Sequence, residues 1–330
     1  MKKNLTVIIV LLAVGLFFLL GVSLGKYASS TFAAQTPNAA CVVTMEKVIA
    51  GAKGDVYNMA NFSDFVEPKS YNLVTYSVEG DEITTPIFDP IPSELEDEQK
   101  NRILQEEAWQ FFTKLIPPEN RRMVAQYIVF TDNGGNTLAA VDQTINDPAQ
   151  WIIEVDIADL ENKNELLFTL IHEYAHLLTL NDSQVTIDQE IYNDPFNLPL
   201  LESKAAACPT YFTDTDCSLP NSYINAFYNR FWTNINTEWE TIDDLRHADN
   251  LTPYYAGLYN FYLAHQNQFV DDYATTHPTE DIAESFTYFV FSPKPKETSI
   301  RDQKILFFYA YPELIKLRQS ILQGACPTVQ

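Results

Sequence analysis

The stretch ELLFTLIHEYAHLLTLND, Glu165 to Asp182, decides the fold. It is among the most apolar runs of the chain beyond the N-terminal segment, it contains no glycine or proline, and its apolar residues recur at helical spacing. Three polar side chains, His172, Glu173 and His176, sit in its middle. Burying such groups without a partner costs on the order of 2–7 kcal/mol each. Something beyond the helix itself must therefore satisfy them.

The pattern His172-Glu173-Tyr174-Ala175-His176 fits H-E-x-x-H. Residues four apart on an α-helix lie one above the other on the same face, so both imidazoles can aim at one point. Two imidazoles one turn apart suit tetrahedral Zn²⁺. Glu173 is displaced by about 100° around the axis, beside the ion, where a carboxylate can act as general base on water.

A hydrolytic zinc site takes three protein ligands and keeps a fourth position open. Asp182 stands where metzincins place their third ligand, but that geometry needs a glycine where this chain has Thr179. The second candidate region is DDYATTHPTEDIAESF, Asp271 to Phe286. It reads as a helix start with Thr276 or Thr279 as cap, Pro278 in the first turn, and Ile282, Phe286 and Phe289 facing the core. Glu280 and Glu284 share one face there. One of them can ligate while the other accepts an N–H from a ligating histidine. The plainer alternative is a solvated acidic face.

Tyr273, then Glu280, then Ala283-Glu284 ahead of Phe286 stand in the order of a known motif. With H-E-x-x-H upstream, these segments resemble the gluzincin metallopeptidases, most of all the lethal-factor type of catalytic domain. The resemblance implies a zincin-like two-lobed domain, with Glu280 as third zinc ligand and Glu284 behind a ligating histidine. It further implies Tyr273 as a donor to the transition-state oxyanion, Glu173 as general base and a peptide or protein as substrate. A rival reading is a catalytically inactive cell-surface zinc-binding or sensing protein of the same fold. A purely structural zinc would need a fourth protein ligand, for which Asp182 or His277 could serve.

The rest of the chain frames this. At 330 residues and 46% hydrophobic content the chain can bury a sizeable core. A net charge of -23 disfavours nucleic acid as a partner. Met1-Lys2-Lys3 precede an uncharged run from Leu5 to Leu24, long enough to span a bilayer. Residues 1–25 read as a signal anchor with the N-terminus inside and the remainder outside the cell membrane; signal cleavage and secretion is the alternative. The four cysteines then suggest two disulfides, Cys208–Cys217 and Cys41–Cys326. His247 and His265 read as surface or interface histidines. No G-x-S-x-G, Walker or G-x-G-x-x-G pattern occurs.

The organisation expected is α+β. Residues 26–92 form a stalk and N-terminal extension with a hairpin turning at Gly80-Asp81, and residues 93–330 form the catalytic domain. Within the latter, Ser93 caps a helix bearing Ile103, Leu104, Trp109, Phe112 and Leu115 on one side, stopped at Pro117-Pro118. A small antiparallel sheet comes next, from MVAQYIVFTD, TLAAVDQT and WIIEVDIAD, the first two joined by an Asn-Gly hairpin signal. The H-E-x-x-H helix and then a helical, aromatic half complete it. A peptide is expected to add a strand at the edge formed by WIIEVDIAD.

Overall fold

The computed structural model describes residues 47–49, 69–135, 137–248 and 250–326. The signal anchor, the stalk and Cys41 lie outside the described residues. No helix among the described residues is long and apolar enough to cross a membrane.

The architecture is α+β, a five-stranded sheet followed by many helices. Strands β1 (Tyr71–Glu79) and β2 (Glu82–Phe88) form the expected hairpin, with Gly80 at φ 66 in the turn. Helix α1 (Arg102–Leu115) comes after them, then β3 (Val124–Thr131), β4 (Ala139–Thr144) and β5 (Asp147–Asp156). The sheet order is β2-β1-β3-β5-β4. The hairpin assigned to the N-terminal extension thus pairs directly with β3. Its turn is clamped to α1 and to the loop leading into β3: Trp109 Nε1 donates to the Asp81 carbonyl at 2.7 Å, and the buried Arg121 guanidinium pairs with the Asp81 carboxylate.

Two sequence expectations about this region are corrected. The sheet is mixed rather than antiparallel, because β3 and β5 run parallel, and β3 and β4 are not a hairpin pair. Asn133 and Gly134 do adopt the positive φ that their turn signal announces, 59° and 82°. The chain then continues across the end of β5 and returns on its far side. Asp132 holds this crossing by accepting the N–H groups of Gly135 and Thr137 at 2.6 and 3.1 Å. Consequently β5 is interior, and the edge expected of WIIEVDIAD belongs to β4 instead. The nearly continuous apolar run Trp151, Ile152, Ile153 and Val155 is the reason, since all four side chains are buried and both faces of β5 are covered.

The first helix also differs in detail. A short 3₁₀ turn and helical turn span Ser93 to Gln99, the chain breaks, and Asn101 caps α1 by accepting Leu104 N–H at 3.3 Å. This restart turns Ile103 to solvent at 79% exposed, while Trp109, Phe112 and Leu115 are buried as expected. Trp109 packs on Tyr127 of β3 with centroids 5.3 Å apart, seating α1 on the sheet.

Helix α2 (Lys163–Leu180) carries the opening stretch and packs against β4. The pair β6 (Val185–Thr186) and β7 (Cys217–Ser218) brackets the segment holding α3 (Leu198–Ala207) and the Cys208–Cys217 disulfide. Cys326 is disulfide-bonded as well. The helical half comprises α4 (Tyr223–Phe231), α5 (Asn236–Asp243), α6 (Thr252–His265), α7 (Pro278–Phe291), α8 (Ile300–Phe307) and α9 (Pro312–Ala325). At the close of the chain α9 packs on α1, and Gly324 makes this approach possible: a Cβ there would lie 1.9 Å from the Lys114 carbonyl oxygen. Gly324→Ala is expected to destabilise the protein by about 1–3 kcal/mol or more, the range typical of overpacking. A denaturant midpoint within experimental error of wild type would refute this packing.

Candidate metal centre

Helices α2 and α7 form the site because they pack antiparallel in steps of four. Phe168 meets Tyr288 edge-on with centroids 6.1 Å apart, His172 Nδ1 lies 2.7 Å from Glu284 Oε1, and His176 Nε2 lies 3.3 Å from Glu280 Oε2. Each step moves one turn up α2 and one turn down α7. The same apolar rows that bury Leu170, Ile171, Ile282 and Phe286 therefore bring a glutamate 108 residues away in sequence onto the histidine face.

Three donor atoms converge. His172 Nε2 is 3.0 Å from Glu280 Oε2 and 3.1 Å from His176 Nε2, and the third separation is the 3.3 Å just given. Both histidines are buried and Glu280 is partly so. Tetrahedral bonds of about 2.0–2.1 Å place two ligand atoms about 3.3 Å apart, so the spacing of this set suits one cation. His172, His176 and Glu280 could hold a metal ion.

Electrostatics agree with that reading. Burial works against charge on His172, yet Glu284 and then Glu280 more than offset it and hold the imidazole protonated well above its ordinary range. Burial likewise opposes charge on Glu280, but His176 and His172 keep its carboxyl well below the usual carboxylate range. The cluster demands positive charge at its centre. Glu284 stands behind His172, its Oε1 2.7 Å from Nδ1. It favours the tautomer with the proton on Nδ1, leaving the Nε2 lone pair for the cluster.

Glu173 differs from its neighbours. Among the described residues it makes no hydrogen bond and no ion pair, and it is partly exposed. Burial pushes its carboxyl up; His172 and His176 pull it back, while Glu280 and Glu284 add to the rise. Tyr273 lies beside the same histidine, its ring centroid 5.7 Å from that of His172.

The remaining candidates fall away. Helix α2 continues through Thr179, whose hydroxyl bonds back to the Ala175 carbonyl at 2.7 Å, and ends at Asn181. The chain does not turn at Thr179 itself, and Asp182 is exposed and outside the donor group. His277, not Thr276 or Thr279, caps α7: its Nδ1 accepts Thr279 N–H at 3.2 Å, and its Nε2 faces Asp214 at 3.4 Å. His265 bridges Glu238 and Gln268, and His247 is exposed beside Arg246.

Sequence reasoning missed two groups here. Asp271 carries a carboxyl pushed well above its ordinary range, by burial first and by Glu284 next. Its only sequence signal was membership of the acidic run. Asp281, adjacent to Glu280, is fully buried against Lys304 of α8, and no local pattern announces that pair. Compared with protein-family models, with curated proteins and with solved structures, the chain matches none.

Proposed function

We propose that this chain is a zinc-dependent metallopeptidase of the gluzincin type, with His172, His176 and Glu280 as the residues that hold the ion. The observation that carries the reading is the pairing of a three-donor group with an adjacent carboxylate, Glu173, that makes no hydrogen bond or ion pair among the described residues. Binding alone does not require that side chain, so the arrangement favours catalysis over the inactive zinc-binding protein. Three donors rather than four likewise favour a catalytic over a structural ion among the described residues.

Zinc in this group would supply Lewis acidity, which polarises a carbonyl and makes water a stronger acid. Glu173 takes the proton from the attacking water and delivers it to the leaving amine. Its raised pKa brings it nearer to neutrality, where a carboxylate is a better base. Glu284 keeps His172 in the tautomer that presents Nε2. Tyr273, against the His172 ring, is the side chain for the developing oxyanion.

The peptide pairs with β4, since that strand is the free edge next to α2. A pocket of about 480 Å³ lies at the end of that strand, lined by Asp142, Gln143, Ile145, Ile187, Ile191 and Tyr192 and by none of the three donor residues.

The test is metal analysis of the purified protein together with hydrolysis of a mixed peptide pool. One zinc per chain is expected, with cleavage abolished by a chelator and restored by zinc. Cleavage that persists after the metal is stripped would reject the reading.

A further inference from the structure

The disulfide loop between Cys208 and Cys217 carries two carboxylates that reach in different directions. Asp216 accepts the backbone N–H of Asp188 at 2.7 Å, beside the pocket at the end of β4 that both residues line. Asp214, held at φ 73, accepts from Arg246 Nη2 at 2.8 Å and lies 3.4 Å from His277 Nε2. Burial works against charge on Asp214, but His277 and Arg246 hold its carboxyl well below the usual range.

His277 joins this loop to the metal helix. Its Nδ1 accepts both the Thr279 N–H at 3.2 Å and the Thr279 hydroxyl at 2.6 Å. An imidazole accepting at Nδ1 carries its proton on Nε2, and Nε2 is the atom that faces Asp214. Trp239 closes the other side, edge-on to the His277 ring with centroids 5.4 Å apart and anchored by its indole N–H to the Thr275 carbonyl at 3.0 Å. Glu280 comes directly after Thr279, inside the first turn that this cap defines.

We infer that Asp214, delivered by the disulfide-closed loop, is a positioning residue for the metal centre: it fixes the tautomer and ring orientation of His277, and through that cap the place of Glu280. This rests on His172, His176 and Glu280 being a metal centre. Histidine is an uncommon N-cap, since asparagine, aspartate, serine and threonine cap a helix without outside help. A histidine cap works only in one tautomer, and Asp214 selects it. The loop therefore has a reason to be closed covalently, because Asp214 must sit at a positive φ at a fixed distance from α7.

The experiment uses the full chain, stripped of metal and titrated with zinc against a chromophoric chelator, alongside cobalt(II) absorption spectra and the unfolding midpoint of the metal-free protein. Asp214→Asn keeps an acceptor for Arg246 but loses the charge that orders His277. It is expected to weaken zinc binding about tenfold, the low end for residues supporting a ligand, and to alter the cobalt spectrum. His277→Asn supplies a cap that needs no selection, so Asp214→Asn added to it is expected to cost no further affinity. Cys208→Ser combined with Cys217→Ser, which opens this loop and leaves the Cys326 disulfide in place, is expected to reproduce the Asp214→Asn loss. If Asp214→Asn binds zinc like wild type, or lowers only the metal-free unfolding midpoint, the positioning role is overturned while the metal centre stands. Equal losses from Asp214→Asn in the wild-type and His277→Asn backgrounds also overturn it. A wild-type chain that binds no zinc overturns both.

Discussion

Glu173→Gln is expected to leave zinc bound at wild-type stoichiometry and to lower peptide hydrolysis by at least about 10²–10⁴-fold. Glutamine keeps the size of the side chain and cannot take a proton. The donor atoms belong to His172, His176 and Glu280, whose mutual contacts do not involve Glu173, so the metal group has no reason to loosen. Removing the negative charge is also mildly favourable, because burial, with Glu280 and Glu284 adding to it, pushes the Glu173 carboxyl up by more than His172 and His176 pull it back. The variant should therefore be at least as stable as wild type while nearly inactive. Zinc content, unfolding midpoint and turnover on one peptide suffice to check it. Turnover within a few-fold of wild type would remove Glu173 from the role of base, and loss of zinc would mean that it supports the ligands instead.

The part of this site legible in the sequence is the part set by local periodicity. An H-E-x-x-H pair on an uninterrupted apolar helix gives His172 and His176 a common face, and the two rings do meet at their Nε2 atoms. Glu280 and Glu284, four apart on a second apolar helix, give the complementary row. What no window of sequence contains is the antiparallel step-of-four register that matches the two rows, because it arises from packing Phe168 on Tyr288 and Tyr174 on Phe286. The strand order escaped for the same reason. Asn133-Gly134 correctly announced a backbone turn, but which strand lies beside which is decided by non-local burial, and the two-sided burial of Ile152 and Ile153 put β5 inside.

The acidic run around Glu280 was equally ambiguous. In an acidic chain it reads as a solvated helix face, yet every residue of α7 except Glu280 is buried. Asp281 can be there only because Lys304 and Trp232 come from elsewhere to meet it. Likewise the cap of α7 is a histidine whose proton is directed by Asp214, a residue on a separate loop. Both supports approach the start of α7, where Glu280 is presented. Sequence reading found the three residues that could hold a metal ion and not the groups that hold them still.

Lys304→Met is expected to destabilise the fold by about 3–5 kcal/mol, the usual cost of leaving one partner of a buried ion pair alone. Both side chains are wholly buried, and Lys304 Nζ donates to Asp281 Oδ2 at 2.5 Å, an oxygen that also accepts the Trp232 indole N–H at 2.7 Å. The ammonium lies 3.8 Å from the Phe269 ring centroid, so a cation–π contact is lost as well. Against a typical total stability of about 5–15 kcal/mol this is a large fraction. Burial already pushes the Asp281 carboxyl up, with Lys304 the main influence restraining it. Without that restraint Asp281 stays protonated to a higher pH in the folded chain than in the unfolded one. A raised folded pKa gives stability that is present below the unfolded value and lost as pH rises through the folded one. The deficit of the variant should therefore widen from acidic towards neutral pH. Asp281→Leu combined with Lys304→Met removes both charges and should recover much of the loss, short of about 1–3 kcal/mol for the orphaned Trp232 N–H. Chemical denaturation of the three proteins at two pH values checks all of this, and a single variant within about 1 kcal/mol of wild type at neutral pH would show that Lys304 does not offset the burial of Asp281.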